Sequence, residues 1–109
     1  MIKPYAVKQH HVGDILADIE KAGFVIRALK MIQLPREKVE LFYAEHKGKH
    51  FFPNLVDFMS SGPIVAALLQ KENAVKDFRE LIGATDPSEA ADGTIRKKYA
   101  TDRTRNAIH

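Results

Sequence analysis

The chain of 109 residues contains no cysteine, which excludes disulfides, thiolate zinc sites, iron–sulfur clusters and a cysteine nucleophile together. Covalent chemistry, if there is any, must use another side chain. No apolar run approaches the roughly eighteen residues of a membrane-spanning helix, and Met1-Ile2-Lys3-Pro4 is unlike a signal peptide, so the expected address is cytoplasmic. The common local signatures are missing too. There is no Gly-x-Ser-x-Gly elbow, no Gly-x-x-x-x-Gly-Lys-Ser/Thr phosphate loop, no Gly-x-Gly-x-x-Gly fingerprint and no His-Glu-x-x-His helix. The histidines His10, His11, His46, His50 and His109 have no metal-ligand spacing, so no dedicated metal site is expected.

What remains is an ordinary globular composition, 45% hydrophobic and 28% charged, in a length that suits one domain. The formal charge of +3 is unevenly spread. From Thr94 onward Arg96, Lys97, Lys98, Arg103 and Arg105 face only Asp102, a segment able to hold phosphates or simply to be a solvated basic face.

Periodicity predicts a helix over Asp14 to Ala22 stopped by Gly23, then a strand over Phe24 to Ile32 covered on most of both faces. A second helix follows Leu34-Pro35 and runs to Gly48, with Val39, Phe42, Tyr43 and His46 on one stripe. Here His46 reads as a half-exposed structural histidine. A third helix spans Phe52 to Met59, Ser60-Ser61-Gly62-Pro63 makes a turn, and Ile64 to Leu69 reads as a buried strand. Asn73 can cap a fourth helix whose Val75, Phe78, Leu81 and Ile82 face the core, closed by Gly83. Beyond it, Thr94 to Tyr99 predicts one or two helical turns and Thr101 to Arg105 a basic loop. Two strands make a marginal sheet, and Met1-Ile2 and Ala107-Ile108-His109 look like parts of others. The pattern as a whole predicts an α+β sandwich, helices packed on a small antiparallel sheet.

Eight phrases in register resemble one family. They are Ile2-Lys3-Pro4, Gly13-Asp14-Ile15, Lys21-Ala22-Gly23-Phe24, the run from Tyr43 to Phe52, Met59-Ser60-Ser61-Gly62-Pro63, the run from Arg79 to Pro87, Gly93-Thr94-Ile95-Arg96, and Asn106-Ala107-Ile108-His109. Together they look like nucleoside diphosphate kinase. Family members usually carry Asp where this chain has Tyr5. The resemblance implies a ferredoxin-like fold and reversible transfer of a terminal phosphate from a nucleoside triphosphate to a nucleoside diphosphate through a phosphohistidine. By the Asn-x-x-His phrase, that histidine is His109. The family match also assigns Arg79 and Arg96 to the phosphates, Thr85 as a phosphate hydroxyl donor, and Tyr43 as a partner of the transferring group. Lys3 and Asn106 are assigned to the sugar hydroxyls, Lys3 also to the moving charge, and Phe51 with Leu55 to the base.

Stacking on Phe51 tolerates any base, so ATP, GTP, ADP and others are the expected partners, with Mg2+ arriving on their phosphates. A homo-oligomer of four or six subunits is implied. The family also has a full first strand and continues past the histidine. Residues 1–109 therefore read as a single domain lacking part of that strand and the C-terminal segment. A catalytically inactive nucleotide-binding module is the alternative, and a nucleic-acid binder using Arg96 to Arg105 a weaker one.

Overall fold

The computed structural model describes all 109 residues. In chain order the helices are α1 (Pro4–Lys8), α2 (Val12–Lys21), α3 (Arg36–Phe42), α4 (Phe52–Met59), α5 (Ala74–Ile82) and α6 (Ile95–Tyr99). The strands are β1 (Val25–Ile32), after α2, and β2 (Ile64–Gln70), after α4, and single 3-10 turns cover Ala44–His46 and Pro87–Glu89. No helix is long and apolar enough to cross a membrane.

Strands β1 and β2 pair antiparallel from Val25 with Gln70 to Ile32 with Ile64, with a bulge at Arg27. The chain ends extend the sheet. Ile2 bridges antiparallel to Val65 on one side and to Ile108 on the other, so the lateral order is Ile108, Ile2, β2, β1 with every neighbour antiparallel. This is the order of a ferredoxin-like sandwich, and it answers the marginal two-strand sheet expected from the sequence. Because successive strand residues point to opposite faces, Val65 and Ile64 enter different clusters. Val65 packs with Ile2, Ile15, Ile19, Ile82, Ile95 and Ile108. Ile64 packs with Val39, Tyr43, Leu55, Val56 and Met59 beneath α3 and α4.

Several local expectations are corrected. Strand β1 is largely open to solvent rather than covered on both faces, because it is the outer strand of the sheet; Leu29 and Met31 are more than half exposed. The second helix ends at Phe42, not Gly48, and tightens into the 3-10 turn. Helix α1, too short to show a period, begins on Pro4, whose fixed φ and missing N–H suit a first turn. On α5 the packed stripe is Ala74, Phe78, Leu81 and Ile82, while Val75 lies at its edge over an open cavity and is 72% exposed. Asn73 precedes α5 but does not cap it: its backbone is left-handed at φ 56° and its side chain makes no cap hydrogen bond. Thr94 does cap α6, accepting from the Lys97 N–H.

Candidate active site

A cavity of about 1160 Å³ opens between the end of α3, the start of α4, one side of α5 from Ala74 to Ile82 and the segment from Arg103 to His109. All nine residues singled out from the sequence line it: Lys3, Tyr43, Phe51, Leu55, Arg79, Thr85, Arg96, Asn106 and His109. Four of its side chains are permanent or usual cations, Lys3, Arg79, Arg96 and Arg103, and no carboxylate is among the lining residues. Elsewhere cations are paired, as Arg36 is with Asp57, Lys71 with Asp77, Lys98 with Asp18 and Arg105 with Asp102. Those four form no ion pair. Two of them, Lys3 and Arg96, are buried, which is costly for a charge without a counter-ion, and the arrangement suits a polyanionic ligand.

The depth of the cavity is built by backbone. Asn106 to His109 leaves the basic loop through a tight turn in which the Ile108 N–H donates to the Asn106 carbonyl at 2.9 Å across Ala107, held at φ 73°. A non-glycine residue there costs on the order of 1–3 kcal/mol and persists only where the surroundings impose it. They do: Ala107 is fully buried, its carbonyl accepts from the Lys3 N–H at 2.8 Å, and the His109 N–H donates to the Met1 carbonyl at 2.8 Å. The His109 ring stands edge-on to Tyr43, centroids 5.9 Å apart, and lies 5.1 Å from Phe42.

Arg96, 9% exposed, donates from Nη1 to the Gly83 carbonyl and from Nη2 to the Ile108 carbonyl, each at 3.0 Å. It therefore ties the end of α5 to the residue before His109. Gly83 must be glycine: its φ is 86° and a Cβ would lie 2.6 Å from the Thr94 Oγ1. Three buried polar atoms lack any partner, the Tyr43 hydroxyl, the Arg96 Nε and the Asn106 Oδ1. All three belong to this cavity wall. Unsatisfied buried groups carry a free-energy cost, and here three of them gather in residues of one wall.

Electrostatics follow from burial. The His109 imidazole titrates below its ordinary 6.5, first because it is desolvated, then because of Lys3, the N-terminal ammonium, Arg96 and Arg79. It is neutral at pH 7, with a lone pair to offer. Lys3, 4% exposed, is lowered to about 8 by burial and then by Arg96. Burial pushes the Tyr43 phenol up to about 12, so it stays protonated and can donate.

The sequence profile of the family described as nucleoside diphosphate kinase matches residues 1–109. The chain belongs to the nucleoside diphosphate kinase family. It is 54% identical over 109 residues to the nucleoside diphosphate kinase of Pasteurella multocida, covering 100% of this chain and 78% of that one. To that of Salinibacter ruber it is 52% identical, covering 100% and 77%. Among solved structures, that of the Aquifex aeolicus nucleoside diphosphate kinase superposes with a TM-score of 0.95 at 47% identity, over 99% of this chain and 79% of the other. The Halobacterium salinarum nucleoside diphosphate kinase in complex with CDP gives 0.96 at 39% identity, over 99% and 71%. The fold is thus the α+β, ferredoxin-like one expected, and the class of activity is that of a nucleoside-diphosphate kinase, a phosphotransferase.

As a nucleoside diphosphate kinase the chain has further wall residues that sequence reasoning passed over. Arg103 and Thr104 line the cavity from the basic loop expected over Thr101 to Arg105. His46 and His50 also line it: His46 stacks 6.2 Å from Tyr43 and lies 5.3 Å from Phe51, and His50 is 5.5 Å from Phe51. Their signal was the aromatic interleaving of the stretch from Tyr43 to Phe52, legible only once the turn at 44–46 folds it back. The basic stretch, for its part, is not one continuous face. Arg96 turns inward, Lys98 pairs with Asp18 at 2.6 Å and Arg105 with Asp102 at 2.6 Å. A divalent cation wants several hard oxygen donors, and this wall supplies no carboxylate cage, nor does any group of three His, Asp or Glu exist elsewhere.

Proposed function

We propose that the chain performs its family's reaction by a two-step relay through His109, with the residues of this one cavity in the roles assigned from the sequence. The observation that carries the reading is the His109 imidazole opening onto one cavity with Lys3, Arg79 and Arg96, cations that have no counter-ion of their own. A ring nitrogen of His109 attacks the terminal phosphorus of a nucleoside triphosphate; the bond to the bridging oxygen breaks and the diphosphate leaves. In the return step a terminal oxygen of a second diphosphate attacks the same phosphorus, the phosphorus–nitrogen bond breaks, and the neutral imidazole is regenerated.

The spread negative charge of the transition state meets Lys3, Arg79 and Arg96, and the protonated Tyr43 phenol is the partner of the transferring group. Asn106 meets a sugar hydroxyl, and Thr85 donates to a phosphate. Phe51 and Leu55 carry the base, by stacking that every base allows. Mg2+ is held by the nucleotide's phosphates rather than by the protein, in keeping with a wall free of carboxylates. A homo-oligomer is also proposed; the exposed apolar side chains Leu29 and Met31, on one face of the outer strand β1, support it.

The test is a pulse of ATP labelled on its terminal phosphate. The protein takes up acid-labile label with stoichiometric release of ADP, and added GDP removes the label as GTP. Nucleotide bound without label transfer would favour the inactive binding module instead.

Acidity offers a second check. Attack needs His109 unprotonated, so kcat/KM falls as pH drops through a value below 6.5. Charge neutralisation needs Lys3 protonated, so kcat/KM falls again as pH rises through about 8. In Lys3→Arg the alkaline limb should move beyond pH 10 or so, because a guanidinium does not deprotonate there. An alkaline limb unchanged by that substitution would remove Lys3 from this role.

A further inference from the structure

We propose that Phe42 is a positioning residue for the relay: with Tyr43 it forms a corner of two rings that seats the His109 imidazole and keeps it turned to the cavity. The inference rests on the functional reading above and adds to it a residue outside the nucleotide's own wall. Helical spacing puts Phe42 on the core stripe of α3 with Val39 and Tyr43, yet the three have different fates. Val39 and Tyr43 are buried, whereas Phe42 is 49% exposed and belongs to neither core cluster. It does not line the cavity either. A large apolar ring placed in neither core nor pocket is costly to leave in water, and the rings it meets are those of Tyr43 and His109.

The three rings close a triangle. Phe42 and Tyr43 have centroids 4.9 Å apart with planes at 81°, Phe42 and His109 5.1 Å at 67°, and Tyr43 and His109 5.9 Å at 89°. These are edge-to-face arrangements, the favoured geometry for aromatic pairs. Consecutive residues at a helix end point in different directions, so their rings make a corner rather than a stack. Tyr43 is its fixed wall, buried in the cluster beneath α3 and α4, with its N–H donating to the Val39 carbonyl at 3.0 Å. Phe42 is its open wall. The hydrogen bonds of His109 are made by its backbone: its N–H donates to the Met1 carbonyl at 2.8 Å, and its carbonyl accepts from the Met1 ammonium at 3.1 Å. Those bonds fix where the side chain starts, but the last torsion of a histidine is broad, and backbone alone does not aim the ring. Attack needs a ring nitrogen in line with the bond that breaks, so the time the ring spends seated scales the rate.

The experiment compares the wild type with Phe42→Ala, Phe42→Leu and Phe42→Tyr, measuring kcat and KM with ATP as donor and GDP as acceptor, thermal unfolding, and the orientation of the His109 ring in crystals of each. One edge-to-face pair shifts the balance between seated and unseated ring by about three- to tenfold, so kcat should fall by that factor in Phe42→Ala and Phe42→Leu. KM should stay within about twofold, because no nucleotide contact is removed. Phe42→Tyr keeps the ring and should restore kcat. Melting temperatures should all lie near that of the wild type, since Phe42 is outside both core clusters. In the Ala and Leu variants His109 should occupy more than one orientation. Leucine serving as well as tyrosine would overturn the proposal, since apolar bulk would then suffice; so would a raised KM at unchanged kcat, or a His109 ring that stays put in Phe42→Ala. If the wild type took up no label at all, the relay would fail, and the orientation of the ring in the four proteins would still decide whether Phe42 seats it.

Discussion

Replacing His109 by alanine is expected to cut phosphoryl transfer by at least about 10⁴-fold, the order seen when a covalent nucleophile is removed from a site that is otherwise intact. The magnitude follows from what the substitution leaves behind. In the proposed roles Lys3, Arg79 and Arg96 still hold the phosphates, so ADP should bind within a few-fold of wild type while turnover is lost. Acid-labile label should vanish with it. Stability should change little, because the ring is open to the cavity and its contacts are edge-on ones with Phe42 and Tyr43. Three readouts therefore separate chemistry from folding: label uptake, equilibrium binding of ADP, and thermal unfolding. Undiminished labelling in the variant would place the phosphate on another residue and end the assignment of His109.

Arg96→Met is expected to show the second largest effect, a fall in kcat/KM of about 10²–10³-fold, the scale of losing one preorganised donor to a developing anion. It should also cost stability, on the order of 1–3 kcal/mol. Two contributions of opposite sign set that figure. Removing a buried guanidinium relieves its desolvation, but the carbonyls of Gly83 and Ile108 each lose a charge-assisted donor, and both are structural corners of the site. The second contribution wins because both bonds span elements distant in sequence, tying the end of α5 to the strand residue beside His109. Arg96→Lys restores the charge but one ammonium cannot reach both carbonyls as the fork does, so it should recover only part of the rate. The comparison to make is the rise in melting temperature on adding ADP. It should be clear in the wild type and much smaller in Arg96→Met; an equal rise in both would mean that Arg96 does not meet the phosphates.

The parts of the fold that were legible in the sequence are those where local preference and tertiary need coincide. Helix α4 begins near Pro53 and buries Leu55, Val56 and Met59, as its apolar spacing requires. Strand β2 is an apolar run between a turn and a polar stretch, and its first residues, Ile64 and Val65, are buried. Gly83 both ends α5 and leaves room for Thr94. The failures have equally particular causes. Strand β1 has the composition of a buried strand but an outer place in the sheet, and composition does not reveal lateral order. Val75 fits the helical stripe, yet the stripe's edge looks into the cavity rather than the core. Helix α1 spans only five residues, fewer than a period needs to be seen.

By itself the sequence determined which chemical groups are available, that cysteine chemistry is absent, where most helices and strands begin and end, and, through eight short phrases, which family the chain resembles. Those are properties of neighbours along the chain. Folding in three dimensions is what puts Lys3, Tyr43, Arg96 and His109 on one wall, leaves the Tyr43 hydroxyl, Arg96 Nε and Asn106 Oδ1 without partners, and brings Arg103 to the same cavity. The reason is that desolvation, Coulomb fields and unmet hydrogen bonds depend on distances between residues up to 108 positions apart, as in the contact of the Met1 ammonium with the His109 carbonyl. The lowered affinity of His109 for a proton is one such quantity, set by burial and by cations gathered from three separate parts of the chain.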